Sequence, residues 1–373
     1  MSGPHELVTL ATTFRDEPAL TVYLRASVEN PADRNAWQVE LDHALEPVRE
    51  GVAGADHATR MALDAAIARL REWLVAERAV LRAAGVVAVV SPDRVLYARS
   101  TELPVPTIAR WGRGAYLAPL LRNASLGTAS AVLVLDARRA TLFRFTPPRR
   151  IERVEAREAA LADDFERRMG SAVGGFHAGT RGGTAADDAA RLQLTERDRL
   201  FGAMVERAAA VADDDGWIVL GGNVRSVAAA RALLPEALER RAIPLERLDV
   251  HASEFEIAQA AATAIEGREA SRDREVVREI LEEHGARGRG VAGLSATRAM
   301  LARQGVAALI LSERFVAGHP DEADALLAQA LGQGATIRQV HGDAAEEIDA
   351  RAEGVVARLR YAPRVAPSAE TSG

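Results

Sequence analysis

The chain has 373 residues, more than one hydrophobic core usually serves, so two or three domains are expected. Its 48% hydrophobic and 27% charged residues are globular proportions, and a net charge of −6 argues against a general nucleic-acid coat while leaving room for a local basic patch. It has no cysteine and no lysine, which excludes disulfides, thiol nucleophiles, cysteine-ligated zinc, a Walker P-loop and a Schiff base. Residues 1–126 read as a mixed α/β unit. Ala19–Leu24 is a short strand, helices cover 35–49 and 57–84, and Gly85 ends the second ahead of a buried strand at 86–90. Ser91-Pro92-Asp93 turns into a strand at 95–98. The proline-spaced stretch 101–107 is extended, and Tyr116–Leu121 leads out of the unit.

Residues 128–246 read as a second unit with a mixed sheet. The stretch AVLVLDARRATLFRF (131–145) makes two strands of a hairpin around Asp136–Arg139, where aspartate is an ordinary turn residue. The segment 150–170 is charged and reads as helical or irregular. Farther on, Leu200, Phe201, Met204, Val205, Ala208 and Val211 recur at helical steps. Asp213–Gly216 turns into the buried strand WIVLGG, and a helix over 227–241 is broken or kinked at Pro235. Gly221-Gly222-Asn223 lacks the full dinucleotide fingerprint and reads as a tight turn.

Residues 249–361 read as a small α/β/α unit. Ser253 and Glu256 form a capping box that opens a helix through about Glu269, and a second helix covers 274–284. Arg287 and Arg289 lie in a glycine loop, Ser295 caps a helix over 296–304, and 306–313 is a buried strand. A helix at 321–334, a strand at 335–340 and the stretch 347–361 close the unit, and 362–373 is a polar, disordered tail. No apolar run is long enough to span a bilayer and the N-terminus lacks a signal-peptide core, so a cytoplasmic protein without a membrane partner is expected, and a monomer. The eight histidines show no metal-ligand spacing, and no serine, histidine and acid can be ordered into a triad. No metal, cofactor or catalytic residue is therefore assigned.

Between the charged segment and the helix lies GGFHAGTRGGTAADDAARLQ, residues 174–193, with five glycines, His177, Arg181 and Arg191 and almost no apolar side chain. Such a run does not pack a core, and a glycine-rich loop (174–186) on a stiff amphipathic helix is a device for reaching into a partner. Glycines 182 and 183 bare the backbone beside Arg181, whose planar fork suits phosphates and bases. His177, Arg181, Gly182, Gly183, Thr184 and Arg191 are the candidate contacts to rRNA or tRNA, set against a plain solvated loop. Asp187 and Asp188 suit the N-terminal turn of the helix.

The order of these motifs resembles that of archaeal and eukaryotic class-one peptide release factors and their relative Pelota. The hairpin 131–145 resembles the opening of that family's middle domain. RGGTAADDAARLQLTERDRLFGAMVERAA (181–209) resembles its glycine-glycine-glutamine loop and arginine-rich helix, and WIVLGGNVRSVAAARALL (217–234) the strand and helix that end the domain. GLSATRAMLARQGVAALILSE (293–313) and EGVVARLRY (353–361) resemble parts of the C-terminal domain. The likeness covers roughly 128–361. The first 126 residues do not resemble the family's codon-reading domain, which fits the bacterial archaeo-eukaryotic release-factor-like proteins, a group that includes the hibernation factor Balon.

The resemblance implies a three-domain factor that binds the ribosome near the aminoacyl site in rescue or hibernation, with loop 174–193 toward the peptidyl-transferase centre. It implies a C-terminal domain that engages a translational GTPase such as elongation factor Tu. Thr184 stands where the family's catalytic glutamine follows two glycines, so peptide release is not expected. Its hydroxyl is shorter than the amide, and Gln193 lies nine residues on, inside the helix. The rival readings are a peptidyl-tRNA hydrolase or tRNA-cleaving rescue factor using another residue, and an adaptor that kept the fold but left the ribosome.

Overall fold

The computed structural model describes residues 4–26, 36–101, 105–121, 128–159 and 185–362, with the side chains of 4–6, 78 and 185–190 left out. The chain forms a mixed α/β fold with three sheets, divided into two compact units: residues 1–127 together with 270–373, and residues 128–269.

In the first unit, strands β1 (Pro18–Arg25), β2 (Gly85–Val90), β3 (Val95–Thr101) and β4 (Ile108–Arg113) form an antiparallel sheet in the order β3-β2-β1-β4. Alternation along β1 and β2 splits their side chains between two faces. Leu20, Val22, Leu24, Val86, Ala88 and Val90 meet helices α2 (Ala36–Gly51) and α3 (His57–Ala76) through Leu41, Leu45, Leu63, Ile67 and Leu70. Asp56 caps α3 by accepting the Thr59 N–H at 2.7 Å. The long helix expected over 57–84 stops at Ala76, because Glu77 leaves helical geometry and a 3-10 turn follows over Arg78–Arg82.

The opposite face of the same sheet carries Ala19, Tyr23, Val87 and Val89, and its covering comes from far away in sequence. Helix α1 (Pro4–Thr13), which the sequence reading missed, adds Leu7 and Leu10, while Leu301, Leu309, Leu311, Leu326, Leu327 and Ala330 come from the C-terminal third. This partition differs from the expected three separate cores: a sheet apolar on both faces needs two covering layers, and residues 1–126 supply too little apolar surface for the second. A buried polar clasp marks this junction. Asp324 accepts the Leu117 N–H at 2.6 Å, Arg110 lies 3.7 Å from the other Asp324 oxygen and 2.8 Å from Asp321, and the Arg110 guanidinium sits 4.8 Å from the centre of the Tyr116 ring. Tyr23 donates its hydroxyl to the Tyr116 carbonyl. Burial pushes the Asp324 carboxyl up to about 6, against the opposing pull of the Leu117 N–H and Arg110.

The C-terminal sheet of this unit has the order β10 (Gly290–Ala292), β13 (Val355–Leu359), β11 (Val306–Ser312), β12 (Thr336–Val340), parallel only between β11 and β12. One of its faces belongs to the cluster just described. The other meets Val277, Ile280 and Leu281 and the helix Gly342–Ala352 through Ala344, Ala345 and Ile348. The α/β/α layering expected there is present. The helix after Gly293 starts at Leu294 and has no side-chain cap: Ser295 lies inside it, and the Leu294 N–H faces Glu353 at 3.4 Å.

In the second unit, β7 (Arg150–Glu158), β6 (Arg139–Thr146), β5 (Ser130–Leu135), β8 (Ile218–Gly222) and β9 (Ala242–Leu245) lie side by side in that order. β7, β6 and β5 are antiparallel, and β5, β8 and β9 are parallel, which makes the mixed sheet that was expected. Arg150–Glu158 is a strand rather than the helical or irregular segment read from its charge, because an edge strand exposes most of its side chains. Helix α4 (Ala185–Val211) and helix α5 (Val224–Ala232) cover one face with Phe201, Met204, Val205, Ala208, Val227 and Ala230. Ile257, Ala258, Ala261, Ala262 and Ile265 cover the other. Those residues begin a single helix over Glu254–Gly285, where the sequence suggested two, because the charged stretch 267–273 holds no proline and its one glycine, Gly267, costs a helix only about 1 kcal/mol. The Ser253–Glu256 capping box is formed, with the Ser253 N–H donated to Glu256 at 2.8 Å.

Candidate functional site

His177, Arg181, Gly182, Gly183 and Thr184 lie outside the described residues, as do the rest of 160–184. Of the candidate contacts, Arg191 is described: it is exposed, on helix α4. What can be built from the described residues is the platform from which the loop departs.

The C-terminal end of α4 is fastened to the sheet at the start of β5. The Asp213 N–H is donated to the Ala129 carbonyl at 3.0 Å, and Asp213 accepts the Ala129 N–H at 2.8 Å. Arg144 donates to the Val211 carbonyl and reaches Asp213, both at 3.3 Å, and Arg241 donates to the Gly216 carbonyl at 2.7 Å. The turn demands glycine at 216, where a Cβ would sit 1.9 Å from the Ala129 carbonyl oxygen. A further tie comes from β7: Glu155 accepts from Arg157 at 2.5 Å and from Arg207 of α4 at 3.2 Å, and these two bonds, Arg157 first, hold its carboxyl below the usual range.

From this anchor α4 runs back over the sheet, antiparallel to β5. The buried positions Leu200, Phe201, Met204, Val205, Ala208 and Val211 all fall in its second half, over a length of about 17 Å that matches the length of β5. Ahead of Leu200 no residue from 191 on is buried, and Leu192 and Leu194 are exposed. The helix therefore continues beyond its packed stretch, with no buried side chain over residues 191–199, a rise of about 13 Å. Its charges there are mostly paired on the helix itself: Arg197 with Asp198 at 2.6 Å and Arg199 with Glu196 at 2.7 Å. Arg191 has no side-chain partner among the described residues.

Two tight turns read from the sequence sit at the carboxyl edge of the sheet. Asp136 accepts the N–H groups of Arg138 and Arg139, both at 2.7 Å, so its carboxylate is consumed by the hairpin. Gly222 has φ +144°, and a Cβ there would lie 2.1 Å from the Leu135 carbonyl oxygen, which fixes glycine at the end of β8. Asn223 then caps α5 by accepting the Ser226 N–H at 3.0 Å. The same edge gathers Arg138, Arg225 and Arg247, a grouping that sequence reasoning did not find because the three come from separate segments. Among the described residues no group of three or more histidines and carboxylates is placed to hold a metal, and no helix is long and apolar enough to cross a membrane.

No protein-family model matches the chain, and no curated protein matches its sequence. Solved structures similar to it include Pelota from Archaeoglobus fulgidus, at 13% identity and a TM-score of 0.35 over 74% of this chain and 79% of that one. Dom34 from S. cerevisiae, a translation termination-like factor involved in RNA quality control pathways and interacting with Hbs1, is similar at 12% identity and a TM-score of 0.43, over 63% of this chain and 64% of its own, a little under two thirds. Archaeal Pelota in a ribosome-bound assembly with ABCE1 is similar at 13% identity and a TM-score of 0.45, over 74% of this chain and 78% of that one.

Proposed function

We propose that the chain is a release-factor-like translation factor that binds the ribosome near the aminoacyl site, in rescue or hibernation, and does not release the peptide. The observation that carries this reading is the unburied stretch of α4. A 27-residue helix is packed on the sheet from Leu200 to Val211 and buries no side chain over 191–199, on the side that leads in sequence to the glycine-rich stretch. A globular core gains nothing from the nine helical residues 191–199 that bury no side chain, whereas a factor that must place a loop at a distance gains reach. The five motifs shared in order with release factors and Pelota support the same reading, and so does Arg181 beside bare glycine backbone. Thr184 in the glutamine position is the reason to expect binding without hydrolysis.

The test is ribosome pelleting together with release of peptide from ribosome-bound peptidyl-tRNA. The parent pellets with ribosomes and releases little peptide. Arg181→Ala weakens binding by about 1–3 kcal/mol, the value of a charge-assisted contact. Thr184→Gln raises release if the loop reaches the ester. Failure to pellet in any ribosome state favours the adaptor reading, and fast release by the parent favours the hydrolase.

A further inference from the structure

The unburied stretch of α4 is not the basic feature that stands free at the carboxyl edge of the five-stranded sheet. Arg138 lies in the β5–β6 hairpin, three residues after Leu135, whose register partner in β8 is Gly222. Arg225 lies three residues after Gly222, in the first turn of α5. Arg247 lies two residues after β9 and its backbone bridges Asn223. The three therefore follow the ends of β5, β8 and β9, adjacent parallel strands about 4.8 Å apart. All three are exposed, and none has a side-chain hydrogen bond or ion pair with another described residue.

The acids of this edge do not ion-pair with these three arginines. Asp136 is held by two backbone N–H groups, Glu158 pairs with Arg139 at 2.5 Å, and Asp249 accepts the His251 N–H at 2.8 Å. Glu246 is exposed beside Arg247, and Asp136 and Asp249 keep their charge while held by the backbone. Three exposed guanidinium groups without an acid partner among the described residues thus follow three adjacent strand ends, on a chain of net charge −6.

We infer that this edge is an RNA-binding surface separate from loop 174–193, in which Arg138, Arg225 and Arg247 hold consecutive phosphates of an RNA strand. Guanidinium forks bind phosphate oxygens bidentately and need no fixed base sequence. An acidic protein partner would want an apolar anchor beside the charges, and at this edge Val224, 55% exposed, is a small one. The three arginines lie at the edge toward which α4 extends, so a strand held there would run toward Arg191. The inference rests on the reading that this unit works on RNA, but its residues are different from those of the loop.

The probe is a fluorescein-labelled 12-base-pair RNA duplex, followed by anisotropy at 50 and 200 mM salt, with ribosome pelleting in parallel. The parent binds the duplex. The variant Arg138→Gln/Arg225→Gln/Arg247→Gln loses at least tenfold in affinity at 50 mM, and its log K against log salt flattens by about 2–3, near one unit for each phosphate that is no longer neutralised. A control with the exposed Arg15, Arg49 and Arg303 changed to glutamine removes the same charge and keeps the parent's affinity and slope. An edge variant that binds like the parent, a control that falls equally, a parent that ignores the duplex, or equal binding to polyglutamate each overturns the inference. Duplex binding that depends on the edge, in a protein that never pellets with ribosomes, sinks the ribosome reading and leaves the edge standing.

Discussion

Replacing Asp324 by asparagine tests whether the buried clasp of the first unit works as its geometry implies. The folded chain holds this carboxyl at about 6, raised from 3.8 by burial, so the folded protein binds its proton more tightly than the unfolded chain does. The stability it contributes is thus fully present below about pH 4 and is lost as pH rises through 6. Across the whole window two pH units amount to about 3 kcal/mol, and between pH 5 and pH 7.5 roughly 1.4 kcal/mol is lost. Asparagine keeps an oxygen to accept the Leu117 N–H but has nothing to titrate. Unfolding measured at both pH values, in parent and Asp324→Asn, gives a difference of differences in which every other titrating group cancels. The parent should lose about 1.4 kcal/mol more than the variant on going to pH 7.5. Identical pH dependence in the two proteins would refute the reasoning, since it would mean that the carboxyl is not desolvated. Asp324→Ala, which strands the Leu117 N–H, should cost about 1–3 kcal/mol at either pH.

Gly222→Ala should lower the melting temperature sharply, by the equivalent of more than about 2 kcal/mol, because a Cβ would meet the Leu135 carbonyl oxygen at 2.1 Å and φ +144° is a glycine conformation. Phe201→Ala and Leu194→Ala separate the two halves of α4 in the same assay. The first empties a fully buried site and should cost about 3–5 kcal/mol, while the second lies on the unburied stretch and should stay within about 0.5 kcal/mol of the parent.

The elements that were legible in the sequence are those with a strong internal period. VVAVV, AVLVLD, WIVLGG and VAALILS are buried strands in the middle of their sheets, and the stripe from Leu200 to Val211 packs as its spacing implies. Of the strands that escaped, β4, β7, β9 and β10 are edges, while β13, inside its sheet, was hidden in a short run between charged residues. An edge strand buries one side at most and tolerates charge and proline, so RIERVEARE and AIPL read as something else. Of the candidate site, the supporting helix was legible, but the unburied turns at 191–199 were not, because a periodic stripe says which residues are buried and not how far the sheet beneath them extends. The arginine grouping and the Asp324 clasp depend on long-range assembly, and no local pattern announces either.

The clasp joins residues 207 positions apart, and that separation bears on how the protein is born. At a synthesis rate of roughly 5–20 residues per second, about 10–40 s pass between the appearance of Leu117 and that of Leu331. In that interval the whole of 128–269 is made and has everything its own core requires. The Tyr23, Val87 and Val89 face of the first sheet meanwhile waits for leucines that do not yet exist. The later-encoded unit is therefore the first able to finish folding, and the N-terminal sheet spends its early life as an exposed apolar surface, the stage at which a chaperone or a slow stretch of message would matter most.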